Sequence, residues 1–166
     1  MAMKKDDMTR RAILGGGTAA MLFGIFGGAN AKPARRYEVM LSEAQWRQRL
    51  SPPAFAVLRK EGTERPGSSP LDKEKRAGIF TCAGCALPLF ASGTKFESGT
   101  GWPSFWKPLP NAVGTTVDKS MFMSRTEVHC RRCGGHLGHV FNDGPKPTGL
   151  RYCMNGVAMK FRPGRA

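Results

Sequence analysis

The stretch 78-GIFTCAGCALPLF-90 decides how the chain folds, because two short apolar runs flank a C-x-x-C pair, Cys82 and Cys85. A second pair, Cys130 and Cys133, follows after 44 intervening residues. Two such pairs can place four thiolates at the corners of a tetrahedron, the arrangement of a structural Zn²⁺ site. The spacing is longer than in a compact zinc finger, so we expect the metal to clip two distant parts of one domain together.

Two other uses of these cysteines stay open. Each pair could close a local disulfide, which an oxidising compartment would favour, or one pair could serve as a redox centre. A disulfide within C-x-x-C is strained and easily reduced, whereas a matched second pair is what a metal site needs. We therefore expect Cys82, Cys85, Cys130 and Cys133 to bind one Zn²⁺.

Beyond Lys75 the chain consists of short apolar runs interrupted by glycine and proline, and none keeps a helical period for more than three turns. Such runs predict strands, so residues 76–166 should form a mainly antiparallel β domain, with helices only before it. The candidate strands are 78-GIFTC-82, 87-LPLF-90, 121-MFMSRTEV-128, 138-GHVF-141 and 151-RYCMNGVAMKF-161.

An N-terminal arm, residues 32–75, precedes this domain. Ser42 with Gln45 three residues later has the capping-box pattern, which predicts a short helix over 43-EAQWRQRL-50.

A second helix is predicted directly after the first. Ser51 can cap it, and Pro52 then stands where its missing N–H does no harm. The helix should run through 54-AFAVLRK-60 and stop at Gly62. The Gly-, Pro- and Ser-rich stretch 62-GTERPGSSPL-71 then predicts an extended wrap or loop.

The first 31 residues are typical of an export signal. Twin arginines, Arg10 and Arg11, stand in a charged segment, 4-KKDDMTRRAIL-14, and precede a weakly apolar, glycine-containing stretch. The segment 29-ANA-31 is a small-x-small cleavage site. These features predict a twin-arginine signal peptide that is removed at residue 31.

Two locations follow from this segment. Cleavage would leave a periplasmic or otherwise extracytoplasmic protein, whereas an uncleaved segment, which is about the minimum spanning length, would anchor it in the membrane. Because the twin-arginine route exports folded proteins, a zinc site could be filled in the cytosol before its thiols meet oxidants.

The chain is strongly basic, with 26 Lys and Arg against 12 Asp and Glu. Such a charge favours acidic partners and raises the question of nucleic acid. The basic residues are scattered, however, as in 35-RR-36, 59-RKEGTER-65 and 131-RR-132, without an interleaved aromatic stripe. We therefore expect a solvated basic surface and no nucleic-acid partner.

The fifth cysteine, Cys153, has no partner by spacing. An isolated cysteine is often a small buried apolar residue. Arg151 and Asn155, however, lie two residues away on either side and would share its face of a strand. A cation and an amide beside a thiol favour its thiolate form and can hold a substrate oxygen.

Two histidines offer a proton donor for such a thiol. His136 and His139 lie in 136-HLGHVF-141, with Asp143 close behind. Since four cysteines already complete a zinc site, a nucleophile and acid pair of cysteine and histidine is plausible.

Four stretches together identify a family. The chain resembles the methionine-R-sulfoxide reductases, the B-type enzymes, over about residues 37–161. This resemblance implies a β-tent of two antiparallel sheets and the reduction of methionine-R-sulfoxide in oxidised proteins. The matching stretches are 80-FTCAGCALPLF-90, 98-SGTGWPSFW-106, 130-CRRCGGHLGHVFNDGPKPTGLRYCMN-155 and 157-VAMKF-161.

The resemblance also implies a role for each residue around the thiol. Cys153 would attack the sulfoxide sulfur and become a sulfenic acid, while His139 donates a proton to the departing oxygen. His136 and Asn155 would position that oxygen or its water, and Arg151 would help to hold the thiolate.

The remaining implied residues surround the substrate and the metal. Trp102 would form the aromatic wall for the substrate's methyl group, with Phe141 nearby, and Asp143 would support the histidine loop. The four paired cysteines match the structural zinc site that many family members carry.

The chain departs from the family pattern at Thr100, where many relatives place a resolving cysteine. Threonine cannot form a disulfide, so we expect an external donor, either a small thiol or a thioredoxin-like protein. Separately, we expect a monomeric enzyme. The competing hypothesis is a non-catalytic zinc-stabilised module that binds apolar or sulfoxidised peptides at Trp102; such a module would keep its function without Cys153.

Overall fold

The computed structural model describes residues 36–119 and 124–164, all within one compact unit, Arg35–Ala166. The predicted export signal, residues 1–31, lies outside these residues. In the described part of the chain, no helix has the length and apolar character needed to cross a membrane.

Helix α1, Glu43–Arg49, has the predicted capping box. The Gln45 N–H donates to Ser42 Oγ at 3.3 Å, and the Ser42 N–H donates to Gln45 Oε1 at 2.8 Å. The one buried side chain of this helix, Trp46, packs into the core.

Helix α2, Pro52–Lys60, begins as predicted, with Ser51 Oγ accepting the Ala54 N–H at 3.4 Å. It ends at Lys60, the last residue of the predicted run, but the left-handed residue that terminates it is Glu61, with φ 56°, and not Gly62. Gly62 is needed for a different reason: its N–H donates to the Ala56 carbonyl at 3.0 Å, and a Cβ there would lie 3.0 Å from the same oxygen.

The described strands form two antiparallel sheets. The smaller has the order β2-β1-β9, with β1 Gly78–Cys82, β2 Pro88–Ala91 and β9 Met159–Pro163. The larger has the order β3-β4-β8-β7-β6-β5, with β3 Lys95–Phe96, β4 Ser104–Phe105, β5 Val113–Asp118, β6 Arg125–Cys130, β7 His136–Phe141 and β8 Arg151–Met154. The predicted mainly β architecture of two antiparallel sheets is thus confirmed.

Individual strand predictions had different outcomes. The strand at 78–82 has its predicted bounds, whereas β7 begins two residues before the predicted 138–141. The run 151–161 is two strands in different sheets, because the chain turns through a 3-10 segment at Gly156–Ala158. Part of the candidate 121–128 lies outside the described residues.

Strand β5 was not predicted. Its sequence, 113-VGTTVD-118, has no buried residue and includes a glycine, so it carries no apolar alternation. It is held instead by pairing along its whole length with β6.

Aromatic side chains fill the space between the two sheets. Phe90 from the smaller sheet stacks on Phe105 from the larger one with ring centroids 4.3 Å apart, and Phe80 meets Phe105 edge-on at 4.9 Å. All three rings are fully buried. This core occupies one face of the larger sheet, and the opposite face is available for polar side chains.

Candidate metal centre and catalytic site

Four buried cysteines converge where the two sheets meet. Cys82 Sγ lies 3.7 Å from Cys133 Sγ, Cys85 Sγ lies 3.5 Å from Cys130 Sγ, and all four sulfur atoms lie within 4.8 Å of one another. All are free thiols, so neither C-x-x-C pair forms a local disulfide.

The chemistry of this cluster fits Zn²⁺. The pKa of Cys82 is raised far above its usual value, mainly by hydrogen bonding with Cys130 and also by burial. The cluster therefore cannot hold four thiolates without a cation to balance their charge. Tetrahedral thiolate coordination is typical of structural zinc. Because β1 ends at Cys82 and β6 ends at Cys130, the metal ties the smaller sheet to the larger one, as the sequence predicted.

The fifth cysteine stands in a row of residues that crosses the polar face of the larger sheet. Cys153 on β8 pairs directly with Ser104 on one side and His139 on the other. The row continues through Glu127 to Thr116. Opposed residues in an antiparallel sheet share a face with Cβ atoms about 5 Å apart, so His139 is an immediate neighbour of the Cys153 thiol.

A carboxylate fixes the orientation of His139. Asp118 Oδ2 lies 2.9 Å from His139 Nε2 and accepts a 2.7 Å hydrogen bond from Arg125. An ionised carboxylate only accepts hydrogen bonds, so Nε2 carries the proton and Nδ1 of the neutral ring bears the lone pair. Burial lowers the pKa of His139, and the bond to Asp118 opposes this shift.

His136 has a matching arrangement. Its Nδ1 lies 3.0 Å from Glu127 Oε1, and this bond is the main reason why the pKa of Glu127 is lowered. Among the residues that the structure describes, none is a hydrogen-bond partner of the buried Nε2 atom of His136. By the same reasoning this nitrogen is an acceptor, and it is left for a water or a substrate group.

Arg151 and Asp143 form a pair beside this row. Arg151 donates two hydrogen bonds to the Asp143 carboxylate, of 2.8 and 2.7 Å, and this hydrogen bonding is the main cause of the lowered pKa of Asp143. The guanidinium also lies 4.5 Å above the Phe141 ring. The two predicted site residues Asp143 and Arg151 therefore form a hydrogen-bonded ion pair with each other.

A pocket of about 150 Å³ opens onto the thiol. It brings together five of the eight residues predicted for catalysis and substrate binding. Its lining is Thr63, Trp102, Arg125, Gly138, His139, Phe141, Cys153 and Asn155. The other three predicted residues, His136, Arg151 and Asp143, surround it through the contacts described above.

Glu64, in the predicted wrap, holds several parts of the pocket together. Its carbonyl accepts the Trp102 indole N–H at 3.1 Å, and its own N–H donates to Asn155 Oδ1 at 2.9 Å. Its carboxylate accepts the Gly156 and Val157 amides at 2.5 and 3.0 Å. One residue of the arm thus positions both the aromatic wall and the turn after Cys153.

Asn155 is bound within the protein as well as lining the pocket. Its side-chain N–H₂ donates to the Leu137 carbonyl at 3.1 Å while its oxygen accepts from Glu64. One amide hydrogen remains to bind a substrate oxygen.

Sequence reasoning missed four residues of this site: Glu64, Asp118, Arg125 and Glu127. Asp118 lies on the strand that was not predicted, so its sheet position could not be inferred. Glu127 could have been found, because 121–128 was a candidate strand and a buried histidine needs a polar partner.

Comparison with known proteins gives a consistent picture. Residues 50–163 match the SelR domain. A peptide methionine sulfoxide reductase MsrB from Agrobacterium fabrum is 51% identical over 127 residues, covering 76% of this chain and 94% of that protein. Proteins of the same name from Bradyrhizobium diazoefficiens and Methanosarcina mazei are 54% and 55% identical over 127 and 121 residues, covering 76% and 72% of this chain and 91% and 86% of theirs.

The metal centre generates the first prediction. Cys82→Ser should abolish zinc binding and lower the midpoint of thermal unfolding, because a structural zinc contributes on the order of ten kcal/mol to folding. Metal analysis of the purified protein should give one zinc per chain. Cys153→Ser is the matched control and should keep its zinc; a metal-free wild-type protein with two disulfides would contradict the assignment.

Proposed function

The chain belongs to the SelR-domain family of B-type peptide methionine sulfoxide reductases, and from this we infer that it reduces methionine-R-sulfoxide in proteins to methionine. The observation that carries this function is the pairing of Cys153 with His139 beneath the pocket walled by Trp102. This arrangement holds a nucleophile, a proton donor and an apolar surface within one small space.

The chemistry begins with Cys153. Its sulfur attacks the sulfoxide sulfur, and the proton lost from the thiol reaches the sulfoxide oxygen through His139. The oxygen then passes to Cys153, which is oxidised by two electrons to a sulfenic acid, while the sulfoxide sulfur is reduced by two electrons to the thioether. The neutral tautomer with a bare Nδ1 suits His139 to take the proton first and then deliver it.

Substrate orientation follows from the pocket walls. Trp102 and Phe141 offer apolar surface to the methyl group, while Asn155 offers its remaining amide hydrogen to the oxygen and His136 Nε2 can accept from a bridging water. Arg151, held by Asp143, contributes positive charge near the thiolate. Placing methyl and oxygen on different walls distinguishes the two sulfoxide epimers.

The zinc, when bound to its four cysteines, supplies only structure. It holds the end of β6, three residues after Glu127, against the end of β1. The basis of catalysis lies in the chain's own side chains.

The reductant is external. Thr100 stands beside Cys153 where many relatives place a resolving cysteine, and the other four cysteines are committed to zinc. A small thiol or a thioredoxin-like protein would therefore attack the sulfenic sulfur, release water and leave a mixed disulfide, which a second thiol resolves. The enzyme would work as a monomer.

Export completes the proposal. The twin arginines and the 29-ANA-31 cleavage site support removal of residues 1–31 and action outside the cytoplasm. Protein isolated from the producing cell would then begin at Lys32, whereas an intact Met1 terminus would contradict cleavage.

The reaction is tested with the two epimers. The purified mature chain should reduce the R epimer of a methionine sulfoxide derivative and leave the S epimer. Cys153→Ser should lose turnover while keeping fold and zinc, because serine is a far weaker nucleophile. Equal rates on both epimers, or activity that survives in the serine variant, would contradict the assignment.

The role of Asp118 is tested by the pH profile. Its hydrogen bond raises the pKa of His139 against the effect of burial, so Asp118→Asn should lower that pKa further. The acidic limb of kcat/KM, where His139 becomes protonated, should then move to lower pH. Glu97→Gln, the same change on an exposed carboxylate, should leave the limb in place; an unmoved or upward-shifted limb in Asp118→Asn would rule out this role.

The recycling route is tested by intact mass. One equivalent of R-sulfoxide without reductant should add a single oxygen to the chain, and dimedone should label Cys153. Loss of two hydrogens together with zinc release would show instead that a metal ligand resolves the oxidised cysteine.

A further inference from the structure

Three hydroxyl groups form a continuous chain next to Cys153. Thr100 Oγ1 lies 3.9 Å from the Cys153 sulfur and 2.8 Å from Ser98 Oγ. Ser98 Oγ lies 2.7 Å from Ser104 Oγ, which in turn donates to the Trp102 carbonyl at 3.1 Å. Ser104 is also the sheet partner of Cys153, so the series of hydroxyl groups begins beside Cys153 on β8 and ends at the residue paired with it on β4.

The direction of these hydrogen bonds follows from counting hydrogens. Each hydroxyl has one hydrogen to donate. Ser104 gives its hydrogen to the Trp102 carbonyl, so Ser98 donates to Ser104 and Thr100 donates to Ser98. Thr100 then has only lone pairs left for Cys153, and can accept from the neutral S–H but not donate to a thiolate.

The same three hydroxyls can also point the other way. If Ser104 turns to Ser98, then Ser98 turns to Thr100 and Thr100 donates to Cys153. Among the described residues, the hydrogen of the fully buried Ser104 has two acceptors within reach, Ser98 Oγ and the Trp102 carbonyl. The chain of hydroxyls therefore has two concerted states, and the second leaves the Trp102 carbonyl without this donor.

We propose that Thr100, Ser98 and Ser104 form a hydroxyl relay that reverses when Cys153 changes from thiol to thiolate. The negative charge on sulfur favours the reversed state, because a hydrogen bond to a charged acceptor is stronger than one to a neutral carbonyl. Thr100 is thus a positioning residue for the nucleophile. The relay supplies a donor to Cys153 from the side opposite His139 in the sheet.

The relay also bears on the oxidised enzyme, and this part rests on the proposed function. After oxygen transfer, Cys153 carries an S–OH group and no neighbouring thiol can condense with it. A hydroxyl donor at Thr100 can bind the oxidised group in either orientation, because the relay can donate or accept. Thr100 would thereby hold the sulfenic acid by a hydrogen bond until an external thiol attacks it.

The test compares Thr100→Val, which keeps the side-chain shape, with Thr100→Ser, which keeps the hydroxyl. Each protein is alkylated with iodoacetamide across a pH series, and the modified Cys153 peptide is quantified by mass spectrometry. In Thr100→Val the pH of half-maximal alkylation rate should rise by about one unit, since one hydrogen bond to a charged group is lost. Thr100→Ser should behave as the wild type.

Thr126→Val makes the same change at an exposed position on the other face of the sheet and should leave the alkylation profile unchanged. A Thr100→Val profile that matches the wild type, or a serine variant that shifts as the valine variant does, overturns the relay. Alkylation needs no sulfoxide, so the two proposals are tested separately. If the wild type reduces the R epimer but the alkylation profile of Thr100→Val is unshifted, the relay is overturned and the proposed function stands. A shifted profile without turnover leaves the relay standing and removes the proposed function.

Discussion

The register of β7 against β8 is the constraint on which the site depends. It sets His139 opposite Cys153 and Phe141 opposite Arg151, and a slip of one residue would turn each side chain to the other face. Gly138 helps to fix this register, because a Cβ at this position, with φ 155°, would overlap the Cys153 carbonyl oxygen. The N–H of Asn155, which donates to the Leu137 carbonyl at 2.8 Å, fixes the end of the pair.

A second constraint joins the arm to the sheets. The wrap has no regular structure around Glu64, yet this residue uses its carbonyl, its amide and its carboxylate to bind Trp102, Asn155 and the turn that begins at Gly156. The arm therefore completes the substrate pocket, which explains why the family match begins well before the first strand.

Local signals in the sequence predicted local structure well. The capping box at Ser42 and the strand at 78–82 were confirmed because hydrogen bonds between near neighbours, or a short buried run, determine them. The prediction of one strand over 151–161 was wrong because both halves have strand-like sequences. The turn between them is required only by the positions of the two sheets. Spacing alone indicated four cysteines around one metal, whereas the carboxylate partners of the histidines depend on register across β5, β6 and β7.

The distribution of acidic residues ties these points together. The chain has only 12 Asp and Glu against 26 Lys and Arg, yet Glu64, Asp118, Glu127 and Asp143 all hold residues of the site. Each acts as an acceptor for a group that must keep one orientation. Two of them determine which imidazole nitrogen carries the proton, so both histidines present a lone pair elsewhere. The few carboxylates, through their acceptor atoms, convert a paired cysteine and histidine into a site with defined proton positions.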